Sequence, residues 1–560
     1  MQPHLYLLRS TGLNSGNKNF RWFLRLEDFK CCSGMTKKRI LFFFFILITA
    51  ALVKMLFYAG TARPYRHPVA LRHRTQSVWV PAGDHYKRSR LGELFLGKHW
   101  RDVWTTPIAA PVFSFSRTFG GLKPGKLGGG MQTTSLNLTS ADGRTFVLRS
   151  LDKDPVGVLP PFWQHSLVAD LVRDQVSAAN PYAALVVAPL SEAVGLLHTN
   201  PQVVFVSGRD EHIQSHRQQL ADRLFLLEEK YSGNSVSAFE SAIGVYNSLE
   251  MLDRRFRWPN HFIDQQDFLR CRLFDIFLGD WDRHEGQWNW VAYSAGQEVW
   301  YKPIPKDRDQ AFSRYQDGLL PWLLTRGFAL NKFSHFDGEL ASIKPYTVNG
   351  GFLDERALNN LNRNDFLLAA QTLQKALTDE VIDQAVKQYP PPIYSLIGKD
   401  TANKLKQRRN QLKRAALAYY RHLAQNVVVT GTDERERFVV KRLNDRQTLV
   451  QVYQVLAKDE PGRKVYQRFF NREESESITL HGLAGDDVFD VTGKVREGIT
   501  IRIVGGLGSD AIRDQSWVKQ GHKQTLVFDT RRGNQIVWGP ETADKTTNDI
   551  SVHNYDREGY

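Results

Sequence analysis

The chain has 560 residues, 42% hydrophobic and 24% charged, which excludes bulk disorder and allows roughly three or four domains of common size. A formal net charge of +15 favours anionic partners. The basic residues are spread rather than gathered into one tract, and no zinc-finger or basic-zipper spacing occurs, so specific nucleic-acid binding is not expected. Cys31, Cys32 and Cys271 are too few for a disulfide framework or a cysteine-built zinc site.

In chain order, residues 1–34 resemble neither a targeting peptide nor a domain, and translation is expected to begin at Met35. The following "MTKKRILFFFFILITAALVKMLFYAGTA" joins a cationic flank to an apolar run that Lys54 interrupts. This predicts a signal peptide or membrane anchor over 35–62. It implies membrane contact through that helix and a place in the cell envelope, anchored in the inner membrane or exported to its periplasmic side. Residues 63–110 show no sustained period and are read as a linker and wrapping segment.

From 111 to 230 the pattern predicts mixed α and β structure. A strand-like "PVFSF" precedes the glycine-rich "GGLKPGKLGGG". Alternation on both sides of "ADGR" predicts a hairpin with an Asp-Gly turn. Residues 162–179 carry helical periodicity, and "QVVFV" and "RLFLLEEK" read as strands. Residues 231–426 read as largely helical, with Leu269, Leu273, Phe274 and Phe277 on one helix face. Residues 427–560 alternate as strands and form a separate β domain.

The chemistry concentrates in "GDWDRHEGQWNW" and, soon after, "KPIPKDRDQAF". Carboxylates this dense among tryptophans suit a rigid, partly buried metal or phosphate site. Phosphoryl transfer needs hard-oxygen metal ligands, a carboxylate to orient or deprotonate the acceptor, and cations on the phosphates. Asp282 is the candidate base, with Arg283 and His284 beside it. Gln287 with Asp307 or Asp309 would hold the metal. Upstream, Gly125, Gly128, Gly129 and Gly130 could approach phosphates without Cβ obstruction. Arg149 or Lys153 would supply the cation, paired with a helix carboxylate such as Asp174 or Asp170.

This ordered set resembles the atypical protein-kinase-like superfamily: phosphatidylinositol kinases and secretory casein kinases for "DRH", spore-coat kinases for "PKDRDQAF", and HipA-type proteins. Residues 76–560 more closely resemble a module found between metallophosphoesterase and outer-membrane-barrel segments in large envelope proteins of Bacteroidetes-type bacteria. The resemblance implies an α+β, two-lobed fold, with a small β-rich lobe over 111–230 and a larger helical lobe over 231–426, followed by a small all-β domain. It implies ATP with Mg or Mn, and envelope proteins or a metallophosphoesterase as partners. Gln287 stands where kinases have asparagine, and Arg149 where they have lysine. Two alternatives stay open: a non-catalytic envelope interaction module and a metal-dependent phosphohydrolase.

In the β domain, "GGLGSDAI" and "GLAGDDVF" fit the unit of calcium-binding β-rolls, 23 residues apart. They are read as plain Gly-Asp turns between parallel-like rungs in preference to calcium at Asp487 and Asp510, since Ca²⁺ takes six or more oxygens. No H-E-x-x-H or G-x-S-x-G occurs, which disfavours zinc-hydrolase and esterase chemistry.

Overall fold

A computed structural model describes residues 42, 44–50, 66–68, 76–129, 132–327, 332–456, 461–519 and 521–559. It divides into two units, Met1–Ala59 and Gly60–Tyr560. In the first, residues 44–50 are helical. The expectation for 1–34 and most of the 35–62 segment fall outside the described residues, as does Gly130. Among the described residues no helix is long and apolar enough to cross a membrane.

The second unit is a mixed α and β fold. It opens with an antiparallel pair, β1 (Ser77–Val80) and β2 (Ile108–Pro111). Between these strands lie α1 (Arg90–Leu96) and α2 (Arg101–Thr105). Trp100 and Trp104 here are buried, and their indole N–H groups donate to the carbonyls of Phe312 (2.8 Å) and Ala179 (2.9 Å). The region expected to be linker and wrap is thus anchored in the main core by aromatic side chains, whose burial leaves no periodic trace. Strand β2 also ends at Pro111, where "PVFSF" was expected to begin as a strand; Val112 makes only an isolated bridge to Phe205.

Five strands follow: β3 (Leu122–Gly128), β4 (Ser135–Ser140), β5 (Thr145–Ser150), β6 (Gln202–Val206) and β7 (Arg223–Glu229). Their order is β3-β4-β5-β7-β6, every neighbour antiparallel. Leu136, Leu138, Phe146 and Leu148 alternate inward to meet Phe225 and Leu227. The glycine-rich stretch is the edge strand of this sheet, with Gly125 and Gly128 inside β3 and a register shift between Pro124 and Leu127. The helix expected over 162–179 is split into a 3₁₀ turn at Pro161–Trp163, α3 (Leu167–Asp174) capped by Ser166, and a second 3₁₀ turn at Gln175–Ala178.

A second sheet, ordered β8-β10-β11-β9, combines β8 (Ala242–Asn247), β9 (His261–Ile263), β10 (Trp288–Ala295) and β11 (Glu298–Pro305). The stretch 236–280 holds, besides the helices α4 (Ser248–Arg257) and α5 (Gln265–Leu278), the short strands β8 and β9. From Cys271 to Leu278 helix α5 is buried on all sides, Arg272 and Asp275 included, and it packs against α6 (Arg363–Ala376) and α7 (Leu412–Ala424). A helix enclosed all round needs no amphipathic stripe, only partners for its charges.

From Asn426 the chain winds in parallel rungs. Strands β12 (Asn426–Thr430) and β13 (Glu436–Arg442) start the two faces. The hairpin β14 (Gln447–Val455) and β15 (Pro461–Asn471) extends the second face. The next turns are β16 (Ser477–Ala484) with β17 (Val488–Thr492) and β18 (Lys494–Val495), then β19 (Thr500–Leu507) with β20 (Ala511–Asp514) and β21 (Trp517–Val518). The last are β22 (Thr525–Val527), β23 (Gln535–Val537) and β24 (Thr542–Asp544). One face runs β12-β16-β19-β22-β24 and the other continues β13-β17-β20-β23, all parallel. Ser477 pairs with Thr500 and Val488 with Ala511, so the 23-residue spacing is one rung. Val427, Ile478 and Ile501 stack inside, as do Val429, Leu480, Ile503 and Val527, and Phe438 stacks on Phe489 at 4.6 Å.

Candidate functional site

Helix α5 stops at Gly279, whose left-handed φ of +75° lets its N–H cap the carbonyls of Asp275 and Ile276. The chain turns sharply there and delivers Asp280, Asp282, Arg283 and His284 beside the end of β11. Arg283 is fully buried. It donates to the carbonyls of Lys306 (2.7 Å) and Gln287 (3.1 Å), and its guanidinium lies 4.5 Å from the Trp288 ring centroid. It therefore clips the two motifs together. Of the tryptophans between the carboxylates, Trp288 lies under this clip, while Trp281 packs on Tyr315 and Phe333.

Behind it lies a buried ionic knot. Asp275 meets Arg272 (2.9 Å), Arg283 (3.3 Å) and Arg308, and Asp280 meets Arg308 at 3.3 Å. Arg272 reaches Asp354 at 2.7 Å. Burial pushes the Asp280 carboxyl up to about 6 against the pull of Arg283 and Arg308.

The three residues of "DRD" diverge. Arg308 turns inward to the knot, while Asp307 and Asp309 face β5 and the loop after it. Asp307 accepts from Arg149 Nη1 at 2.8 Å, and Asp309 from Lys153 Nζ. Asp307 takes a left-handed φ of +56°, sparsely populated for a non-glycine residue. Burial raises its carboxyl, but Arg149, Lys153, Arg283 and Lys306 together hold it below the usual range. Asp307, more than any other group, holds the Arg149 guanidinium protonated. Burial lowers the Lys153 ammonium against Asp307. Asp282 is half-buried, and its Oδ1 accepts from Asn349 Nδ2 at 2.7 Å. Arg149, Lys153, Asp307 and Asp309 thus meet where the segment after β11 reaches β5 and the loop after it, and the Asp282 charge is felt at Lys153.

Asp174 lies elsewhere, a correction to the pairing expected for it. It is buried under the β1–β2 segment, bidentate to Arg101 at 3.0 and 2.6 Å and 2.8 Å from Arg88. Asp170 pairs with Arg173 at 3.5 Å on its own helix. The carboxylate beside Arg149 is instead Glu228 on β7, at 3.7 Å, raised by burial. An acid inside the apolar run "RLFLLEE" was the signal for it. His284 caps its own 3₁₀ turn, Nδ1 accepting from the Gly286 N–H at 3.1 Å, and its side chain bonds to none of the other candidates. The Gln287 carbonyl accepts from Arg283 and from the Lys306 N–H at 2.9 Å. Gly129, with φ of +113°, turns the chain from β3 towards β4. Lys306 was missed by the sequence reading; burial and then Arg149 bring its ammonium down to about 8. Among the described residues no group of three or more His, Cys, Asp or Glu side chains is set to hold a metal ion.

No family model matches the chain, and no curated protein matches it. Among solved structures similar to part of it is the Helicobacter pylori proinflammatory kinase CtkA. It is 16% identical, over 55% of this chain and 98% of that one, with a TM-score of 0.32. Another is the Shewanella oneidensis MR-1 toxin–antitoxin complex of HipA, HipB and operator DNA. That chain is 10% identical, over 56% of this chain and 77% of its own length, with a TM-score of 0.28.

Proposed function

We propose that the place where β5 and the segment after β11 meet is the cleft of a nucleotide- and metal-dependent phosphotransferase. The observation that carries this reading is the double ion pair, Arg149 with Asp307 and Lys153 with Asp309, which joins acids and cations more than 150 residues apart. Arg149 stands on the third strand of its sheet, after a glycine-rich hairpin, where protein kinases carry their phosphate-binding lysine. The donors Asp307, Asp309 and the Gln287 amide are hard oxygens of the type Mg²⁺ or Mn²⁺ accepts. Such an ion, when bound, would neutralise charge on the phosphates.

The chain's own residues then divide the work. Arg149, Lys153 and Lys306 meet the phosphates, which releases Asp307 and Asp309 from their present pairs. Asp282, oriented by Asn349, takes the proton of an acceptor hydroxyl as that oxygen bonds to the terminal phosphorus and the nucleoside diphosphate leaves. A second reading, a cleft retained as a non-catalytic interaction module, draws on the same pairs, since they neutralise the site without a ligand. We further propose a setting at the cell envelope from the apolar run over 40–59, where membrane and envelope proteins would be the partners; fractionation of the full chain tests it.

The test is thermal unfolding of the full chain with ATP, with and without Mn²⁺. Ligand at about 100 times its Kd should add roughly 2.7 kcal/mol of stability. Asp309→Ala should lose the Mn²⁺-dependent part, and Asp282→Ala should keep binding but lose transfer of labelled phosphate. Absence of any nucleotide-dependent shift in the wild type would overturn the reading. Full transfer by Asp282→Ala would exclude its role as base.

A further inference from the structure

The Gly-Asp units have no part in the cleft and build a feature of their own. Asp487 and Asp510 sit one rung apart, both buried. Oδ1 of Asp487 accepts from the Glu436 N–H at 2.7 Å, and Oδ1 of Asp510 from the Asp487 N–H at 2.9 Å. One rung further, Asn534 takes the same place, its Oδ1 accepting from the Asp510 N–H at 2.7 Å. The column reads acid, acid, amide.

The second oxygens, Oδ2 of Asp487 and of Asp510, are buried without a hydrogen-bond partner. Glycine makes room for them. A Cβ on Gly482 would lie 2.1 Å from Asp487 Oδ2 and 2.3 Å from the Gly505 carbonyl oxygen. One on Gly505 would lie 2.2 Å from Asp510 Oδ2 and 2.3 Å from Asp529 Oδ2. Each glycine therefore borders two acceptors at once.

The charged neighbours acting on Asp487 are Glu436, Asp510 and Asp486, and those on Asp510 are Asp529 and Asp486, all acids. Arg255 and Glu434 face the Glu436 end, and His553 faces Asp529. Two lone pairs pressed together in a dry place repel unless a proton lies between them. Asn534 shows the neutral arrangement, its Nδ2 donating to Asp529 Oδ1 at 2.7 Å.

We propose that Asp487 and Asp510 are built in as protonated acids, the first donating towards the Gly505 carbonyl and the second sharing its proton with Asp529. The solenoid is then closed by bound protons and loosens when they are withdrawn. Burial, with the neighbouring acids, pushes Asp487 up to about 9 and Asp510 up to about 7, and raises Asp529. Folded values above the unfolded carboxyl value mean that the stability is fully present at acid pH. It is lost as pH climbs through the folded values.

Amide hydrogen exchange of the full chain in chelator, corrected for intrinsic rates, reads this directly over residues 478–514, with α5 as internal reference. Opening of the solenoid amides should grow on the order of tenfold per pH unit for each proton held. Asp487→Asn and Asp510→Asn should stay folded and each cut that slope, because the amide N–H stands in for the acid O–H. Protection that is flat or rises with pH would overturn the proposal. So would unfolding of both amide variants at acid and alkaline pH alike. Protection restored at alkaline pH by Ca²⁺, and lost in Asp487→Asn, would make the column a cation site instead.

Discussion

Asp174→Ala tests whether Asp174 serves the fold rather than the proposed site. The Asp174 side chain is fully buried and meets two guanidiniums, bidentate Arg101 at 3.0 and 2.6 Å and Arg88 at 2.8 Å. Arg101 is itself only 2% exposed, so removing the carboxylate strands a cation in the core. Breaking such a pair from one side costs about 3–5 kcal/mol. Arg88 is partly solvated and adds less. Against a total stability of about 5–15 kcal/mol this is a large fraction. With urea m-values of about 1–3 kcal/mol/M, the midpoint should fall by roughly 1–5 M. Urea unfolding by tryptophan fluorescence is the assay, since Trp100 and Trp104 lie in the same buried segment. The double change Arg101→Met with Asp174→Leu should recover much of the loss, because the unpaired charge is gone. An unchanged midpoint in Asp174→Ala together with lost nucleotide binding would refute this reasoning and return Asp174 to the cleft.

Gly129→Val should distort the glycine hairpin, since φ is +113° and the new Cβ would lie 1.9 Å from the Thr133 carbonyl oxygen; a weaker nucleotide-dependent thermal shift with an intact circular dichroism spectrum is expected. Lys306, brought down to about 8, is cationic below that pH and neutral above it, so triphosphate affinity by calorimetry should weaken as pH rises through about 8, and Lys306→Arg should remove that step. Phe489→Ala deletes a fully buried ring stacked on Phe438 and should cost about 3–5 kcal/mol, read as loss of exchange protection in the solenoid.

Local patterns were legible where the chemistry is local. The Asp142-Gly143 hairpin, the strands at 202–206 and 223–229, and the β character beyond 426 all follow from alternation and turn residues. What escaped was set by tertiary burial. The segment 76–110 owes its place to Trp100 and Trp104, and aromatic anchors carry no period. Strands β8 and β9 are short and flanked by helices, so the helical period on either side masks them. The glycines of β3 read as a loop because a glycine-rich edge strand shows no side-chain alternation.

The site was legible in its order and not in its pairing. Sequence spacing brings Asp282 and "DRD" near one another through a hairpin, β10–β11, that pairs Trp288 with Pro305. Which carboxylate answers Arg149 depends on how α3 sits against its neighbours. There Arg88 and Arg101, upstream in a segment without period, claimed Asp174 first. Arg149 was left to Asp307 across the cleft and Glu228 on the neighbouring strand. The same competition explains the split in "DRD". Asp307 takes the left-handed conformation and Asp309 enters a turn, and this backbone sends the Arg308 side chain away from the cations that the two acids face. Arg308 therefore completes the buried knot with Asp275 and Asp280, and the two acids are presented together to the cations of β5 and the loop after it. A neutral residue at 308 would leave Asp275 and Asp280 short of charge, and the cleft would lose the support that sets the direction of both aspartates.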